Sequence, residues 1–263
     1  MSHDEGAARR GPQAAPRDER DVKLHGAVAL VTGAGRRVGR AIAIALGAEG
    51  MRVAVHYHSS RTGAAETVAT IQAAGGEAWA VQADLSDAHA AAPLVQGVAA
   101  HYGALQVLIN SAAIMMRTPL ETVTPHEWDT MEAINLRAPF FCAQAAAAIM
   151  REQGGVIVNI ADLAGMETWP AYIPHGITKA GVLFMTRALA RALAPTIRVN
   201  AVVPGSVLLP ESWSAEDAAR LARTTPLRRL GSPADVAQAV VYLLQADYVT
   251  GDALVVDGGR HVR

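Results

Sequence analysis

One cysteine, Cys142, stands among 263 residues, so the chain can form neither an intramolecular disulfide nor a CxxC-type metal site. An excess of charge of either sign is also missing. Lys and Arg number 23 against 24 Asp and Glu, a net charge of -1, which gives no electrostatic case for nucleic acid or a membrane surface as partner. Aromatic residues are scarce at 5%, while hydrophobic residues reach 51%, enough to bury a large core in one domain. No stretch approaches the length of a membrane span. His25, His89, His101 and His126 are scattered without metal-ligand spacing, so no metal is expected. Residues 1–23 show no periodicity and no apolar h-region; they read as a disordered N-terminal tail ahead of a domain over 24–263, and a cytoplasmic location is expected.

What is present is a rhythm. Short Val- and Ile-rich segments fall at 27–31, 52–57, 77–82, 105–109, 155–160, 197–202 and 253–256. Ala-rich amphipathic stretches lie between them at 37–49, 61–74, 88–102, 125–135, 138–152, 174–194 and 233–245. Strands that alternate with helices pair in parallel through right-handed crossovers, which predicts an α/β fold with a doubly wound, seven-stranded, Rossmann-type sheet. No repeat or low-complexity linker divides it, so a single domain is expected.

The segment Thr32-Gly33-Ala34-Gly35-Arg36-Arg37-Val38-Gly39 joins the first strand to the first helix. Glycines there let backbone approach a pyrophosphate, and the helix N-terminus offers unpaired N–H groups with partial positive charge. A dinucleotide is the expected ligand. The second strand ends in His56-Tyr57-His58-Ser59-Ser60-Arg61, with no acid between Glu49 and Glu66. A carboxylate at that strand end would accept from a free ribose 2′-hydroxyl. Hydroxyls, arginine and protonated histidine suit a 2′-phosphate instead, and Arg36 and Arg37 point the same way, so NADP(H) is expected over NAD(H).

Polar and small residues end the other strands, where open α/β sheets bind ligands: Asp84 and Leu85, then Asn110-Ser111-Ala112, then Asn159 through Gly165, then Pro204-Gly205-Ser206-Val207. Asp84 could hold the adenine amino group. Further on, His175 and Lys179 are four residues apart in a helix and should share a face.

With these motifs in view, residues 25–261 resemble the short-chain dehydrogenase/reductases. Within that family the chain looks most like the pteridine reductases, through Arg37 where most relatives carry glycine, His56-Tyr57-His58, Asp162 where most carry serine, and Val207-Leu208 near Pro210. The resemblance implies that Lys179 binds the nicotinamide ribose, that Asn135 anchors a water in a proton relay, and that Asp162 stands beside the substrate. The position matching the family's catalytic tyrosine is His175, with Tyr172 in the preceding loop. Free imidazole titrates near 6.5 and a phenol at about 10, so histidine is chemically adequate as a proton donor. Asp162 and His175 are expected to act as an acid pair.

Met115 takes the place where pteridine reductases carry a stacking aromatic, which leaves planar stacking unenforced and makes a broader carbonyl substrate credible. Tyr172, Leu209 and Trp213 are expected to join it around a small-molecule substrate. The favoured reading is NADPH-dependent reduction of a pterin or small carbonyl. The alternatives are a 3-oxoacyl thioester or carbonyl reductase, and a catalytically weak NADP-binding relative. The Ala-rich stretch 143–150, flanked by Phe140 and Phe141, could pack between subunits, and the family resemblance implies a homotetramer.

Overall fold

Short runs rich in β-branched residues and flanked by glycine and polar turns have no room to become helices, and here they form strands, the central ones buried on both faces and the two edge strands half-buried. The computed structural model describes residues 23–207 and 214–262, so the expected tail falls outside them apart from Lys23. In chain order the elements are β1 (Val28–Val31), α1 (Arg37–Ala48), β2 (Arg52–Tyr57), α2 (Arg61–Ala73), β3 (Glu77–Gln82), α3 (Ala91–Tyr102), β4 (Val107–Asn110) and α4 (Pro125–Glu132). They continue with α5 (Ala138–Met150), β5 (Gly155–Ile160), α6 (Ile173–Leu193), β6 (Ile197–Pro204), α7 (Ala215–Thr224), α8 (Pro233–Gln245) and β7 (Ala253–Val256). All seven strands pair in parallel in the order β3-β2-β1-β4-β5-β6-β7. The order reverses between β1 and β4, which puts the switch point where those two strands end.

Alternation along β1 divides the core. Ala29 and Val31 face a cluster with Ile42 and Leu46 of α1, Ile71 of α2 and Val240 and Leu243 of α8. Val28 and Leu30 face the opposite cluster, with Leu94, Val95 and Val98 of α3 and Cys142, Ala143, Ala146 and Met150 of α5. Each aliphatic side chain buried this way contributes about 1.5–3 kcal/mol.

Three expectations need correction here. Residues 125–135 and 138–152 were expected as separate helices, but α4 and α5 run on through a wide π turn at Ala133–Arg137. Pro139 explains it: its ring lacks the N–H that would bond the carbonyl of Asn135, so the helix widens and Ala138 N–H bonds Ala133 O five residues back. The run Pro125–Met150 is thereby long and apolar enough to cross a membrane by length and composition, contrary to the expectation that no stretch approaches that length. Half of its apolar window is buried, and Ala143, Ala146 and Ala147 pack on their own chain's α3 side rather than facing outward. The last correction is α7, which was not expected: its apolar stripe, Ala218, Leu221 and Ala222, is short and only half-buried. A capping box of Ser214 and Asp217 starts it.

Candidate active site

Thr32 closes the switch point. Its hydroxyl oxygen accepts the N–H groups of Ser111 at 2.9 Å and Ala112 at 3.0 Å, and donates to Ile109 O at 3.3 Å. The turn that follows lies flat on β4: a Cβ on Gly33 would sit 2.8 Å from Ala112 Cα, and one on Gly39 2.4 Å from Gly33 O. Arg36 provides no side-chain cap for α1, a helix end whose N–H groups suit an anion. Arg37 holds a left-handed φ of 53°, a conformation glycine adopts more readily. Such strain at a rim points to a functional side chain.

At the end of β2, two expected ligand residues turn inward. His56 is buried; its Nδ1 accepts Gly33 N–H at 3.1 Å and its Nε2 donates to Ala83 O at 3.1 Å. Burial pushes its pKa down to about 4, so the ring is a neutral clip between β1, β2 and β3 and no phosphate cation. Tyr57 points the opposite way into the α1 core cluster, only 8% exposed, so its ring does not line the rim. His58 stays exposed, with Nε2 3.6 Å from Asp84 Oδ2. Asp84 Oδ1 accepts Ser86 N–H and Oγ–H at 2.9 and 2.7 Å, bonds that lower its pKa and hold it ionised. Its carboxylate is therefore partly engaged before any adenine arrives. Ser60 caps α2 with no side-chain bond, and Arg61 follows it at the helix start.

Asn110 also departs from expectation. Its amide nitrogen donates to Asn159 Oδ1 at 2.9 Å and to Pro139 O at 3.2 Å, and Asn159 donates to Thr186 Oγ1 at 3.0 Å. This buried chain ties β4, β5, α5 and α6 below the rim, so Asn110 shapes the floor of the rim and its side chain is not presented to a ligand.

At the ends of β4 and β5 the structure brings together Asn135, Asp162, His175 and Lys179. Asn135 Oδ1 accepts Ile114 N–H at 2.9 Å, and its Nδ2 donates to Ile114 O at 2.9 Å and Thr178 Oγ1 at 3.3 Å. His175 Nδ1 lies 3.2 Å from Ile114 O and 3.4 Å from Asn135 Nδ2. Its Nε2 is buried without a hydrogen-bond partner, 4.0 Å from Asp162 Oδ2. Asp162 Oδ1 is fixed by Ala164 N–H at 2.8 Å, which also starts the 3-10 turn at Leu163–Gly165. Lys179 Nζ donates to Ile160 O at 2.8 Å, and burial pulls its pKa down to about 8 against the opposing pull of Asp162. Neither Ile114 nor Thr178 was foreseen: the first acts through its backbone, which no residue type reveals, and the second only by lying three positions after His175.

Met115 is half-exposed, and Tyr172 packs edge-on against Trp169, whose ring centroid is 6.2 Å away. The hydroxyl of Tyr172 bonds none of Asp162, His175 or Lys179. Leu209 and Trp213 lie outside the described residues. A cavity of about 450 Å³ opens at the ends of β6 and β7, lined by Ser206, Val207, Leu227, Arg229 and Arg260 among others. It contains none of the four converging side chains, and Ser206 Oγ is already bonded to Arg260 at 2.9 Å.

Residues 33–261 match a family model described as enoyl-(acyl carrier protein) reductase. The chain is 36% identical over 240 residues to the 3-oxoacyl-acyl-carrier-protein reductase FabG of Staphylococcus aureus strain Mu50, covering 89% of this chain and 98% of that protein. It is 38% identical over 245 residues to 3beta-hydroxysteroid dehydrogenase 1 of Eggerthella lenta, covering 90% and 94%. The crystal structure of the angucycline C-6 ketoreductase LanV with bound NADP superposes with a TM-score of 0.85 at 33% identity, over 92% of this chain and 98% of that one. These relatives act on carbonyl and hydroxyl carbons, and they favour the carbonyl alternative over the pterin reading.

Proposed function

Starting from the fact that this chain belongs to the short-chain dehydrogenase/reductase family, we propose that it is an NADP(H)-dependent oxidoreductase interconverting a ketone, of the 3-oxoacyl or polyketide kind, and its secondary alcohol. The observation that carries the reading is the convergence of Asp162, His175 and Lys179 beside the glycine turn, on the rim where the sheet order reverses. The half-exposed Met115 provides no flat ring for a pterin, which also favours a ketone.

The residues present fit the cofactor. The Gly33–Gly39 cradle has no space for a Cβ, and the uncapped start of α1 suits a pyrophosphate. Arg36, Arg37, Ser59, Ser60 and Arg61 would hold the 2′-phosphate, with His58 and the pair Asp84 and Leu85 near the adenosine. The backbone of Ser111 and Ala112 and the segment Pro204–Val207 would border the nicotinamide. When bound, the cofactor supplies or accepts hydride at the nicotinamide ring.

The chain's own residues handle the proton. Lys179 lies within the same buried cluster and places positive charge near the ribose site. Asp162 is the more accessible acid–base group, its side chain 27% exposed against 3% for His175. His175 occupies the family's tyrosine position behind it. The carbonyl of Asn135, deprived by Pro139 of its usual helical donor, suits the anchoring of a relay water. The exposed faces of Phe140, Phe141, Ile177 and Phe184 on α5 and α6 support a homo-oligomer, with these rings rather than the buried alanines at the contact.

Titration calorimetry with NADPH and NADH, followed by NADP(H)-linked assays on β-keto thioesters, cyclic ketones and dihydropterins, tests the reading. Tight NADPH binding and turnover of a ketone are expected. Binding without turnover on any of the three classes would instead identify a catalytically weak relative, and no binding would end the proposal.

A further inference from the structure

The hydrogen bonds around His175 can be counted proton by proton. Asn135 is oriented by Ile114 N–H, which its Oδ1 accepts, so its Nδ2 carries the two protons. One goes to Ile114 O at 2.9 Å. Thr178 gives its own hydroxyl proton to His175 O at 2.7 Å, so its oxygen accepts the second from Asn135. Asn135 then has no proton left for His175 Nδ1, and the 3.4 Å contact between them is not a hydrogen bond in that direction. The remaining partner of Nδ1 is Ile114 O at 3.2 Å, an acceptor only. Nδ1 therefore carries the ring proton. At the other end Nε2 is buried with no acceptor in reach, Asp162 Oδ2 being 4.0 Å away. With the ring proton held on Nδ1 by a carbonyl, the neutral ring presents its lone pair at Nε2.

We infer that the site turns its proton-accepting end toward Asp162, a carboxylate backed by an imidazole protonated at Nδ1 whose Nε2 lone pair faces it, so that in the alcohol-to-ketone direction Asp162 and then His175 Nε2 receive the substrate's proton. This rests on the dinucleotide-dependent reading above and reverses the acid-pair role expected from the sequence. In the step, the substrate O–H bond breaks and its proton passes to Asp162 Oδ2 and on to His175 Nε2 as the two close from 4.0 Å to bonding distance. The carbinol C–H pair leaves as hydride to the oxidised nicotinamide dinucleotide, and the carbonyl double bond forms. The charged groups facing the ring are Asp162, from the end of β5, and Lys179, one turn further along α6. The contacts from the helical run through Asn135 and from Ile114 after β4 are neutral.

The tautomer is measurable without cofactor or substrate. In ¹⁵N-histidine-labelled protein near neutral pH, with His175→Gln assigning the resonance, Nδ1 is expected to read as protonated and Nε2 as bare. An Nε2–H tautomer or an imidazolium would overturn the inference, whatever the enzyme's activity. In kinetics, Asp162→Asn should lower kcat/KM for alcohol oxidation at least about tenfold with the Nδ1–H tautomer of His175 retained; oxidation within about twofold of the wild type would refute the relay through Asp162. If instead neither NADPH nor NADP⁺ binds, the oxidoreductase reading fails while the ¹⁵N result still stands or falls by itself.

Discussion

A buried ammonium leaves a signature in the unfolding equilibrium, and Lys179 provides it. The side chain is 4% exposed, with Ile160 O as its bonded partner, and burial brings its pKa from 10.5 to about 8. The folded chain thus releases this proton near pH 8, whereas the unfolded chain keeps it to about pH 10.5. Between those values the unfolded state binds more protons, so stability rises with pH. Below pH 8 the full penalty is present, about 3 kcal/mol, and about 2 kcal/mol of it is relieved between about pH 7 and about pH 9.5. Lys179→Met has nothing to titrate. Urea unfolding of both proteins at the two pH values, without cofactor, should show the stability difference moving by about 2 kcal/mol in favour of the wild type at the higher pH. A difference constant to within about 0.5 kcal/mol would mean that the ammonium is solvated in the folded chain, and would refute the buried cluster as described.

Two other outcomes are expected. Arg61→Ala and Arg37→Gly should each weaken NADPH about tenfold in calorimetry and leave NADH within about twofold; equal losses for both cofactors would remove the 2′-phosphate assignment. Phe184→Glu, at a position 68% exposed, should change monomer stability by no more than about 0.5 kcal/mol yet reduce the mass seen in sedimentation, and an unaltered oligomer would exclude this face of α6 as the contact.

The sheet was legible because its signals are redundant. β2, β3, β5 and β7 begin and end where alternation and glycine punctuation place them, and β6 differs only by running on to Pro204. The π turn was legible in principle from Pro139, but a periodicity argument sees a proline only as a helix start. α7 was overlooked for another reason: its stripe of Ala218, Leu221 and Ala222 is short, half-buried and set among charged residues, so the capping box of Ser214 and Asp217 is its clearest announcement. His56 shows the limit at the rim. Strand alternation would put His56 and His58 on one face; what separates the inward ring from the exposed one is that β2 ends at Tyr57, its last pair with Gln82 of β3, and the string His56-Tyr57-His58 does not show that end.

For the candidate site, spacing placed His175 and Lys179 on one helical face and their chemistry in a rim, but said nothing about protons. Asp162 and His175 read from the sequence as an acid pair, because a carboxylate beside an imidazole favours the imidazolium. What reverses the expectation is a backbone carbonyl, Ile114 O, together with an amide whose two protons are already placed. A phenol at position 175 would have no second ring atom for Ile114 to hold and would reach further into the cleft. With imidazole the anchor and the acceptor are opposite atoms of one ring, so the backbone contact that fixes its position also decides which end is bare. The substitution that looks from the sequence like a weakened acid is, in this setting, a positioned base.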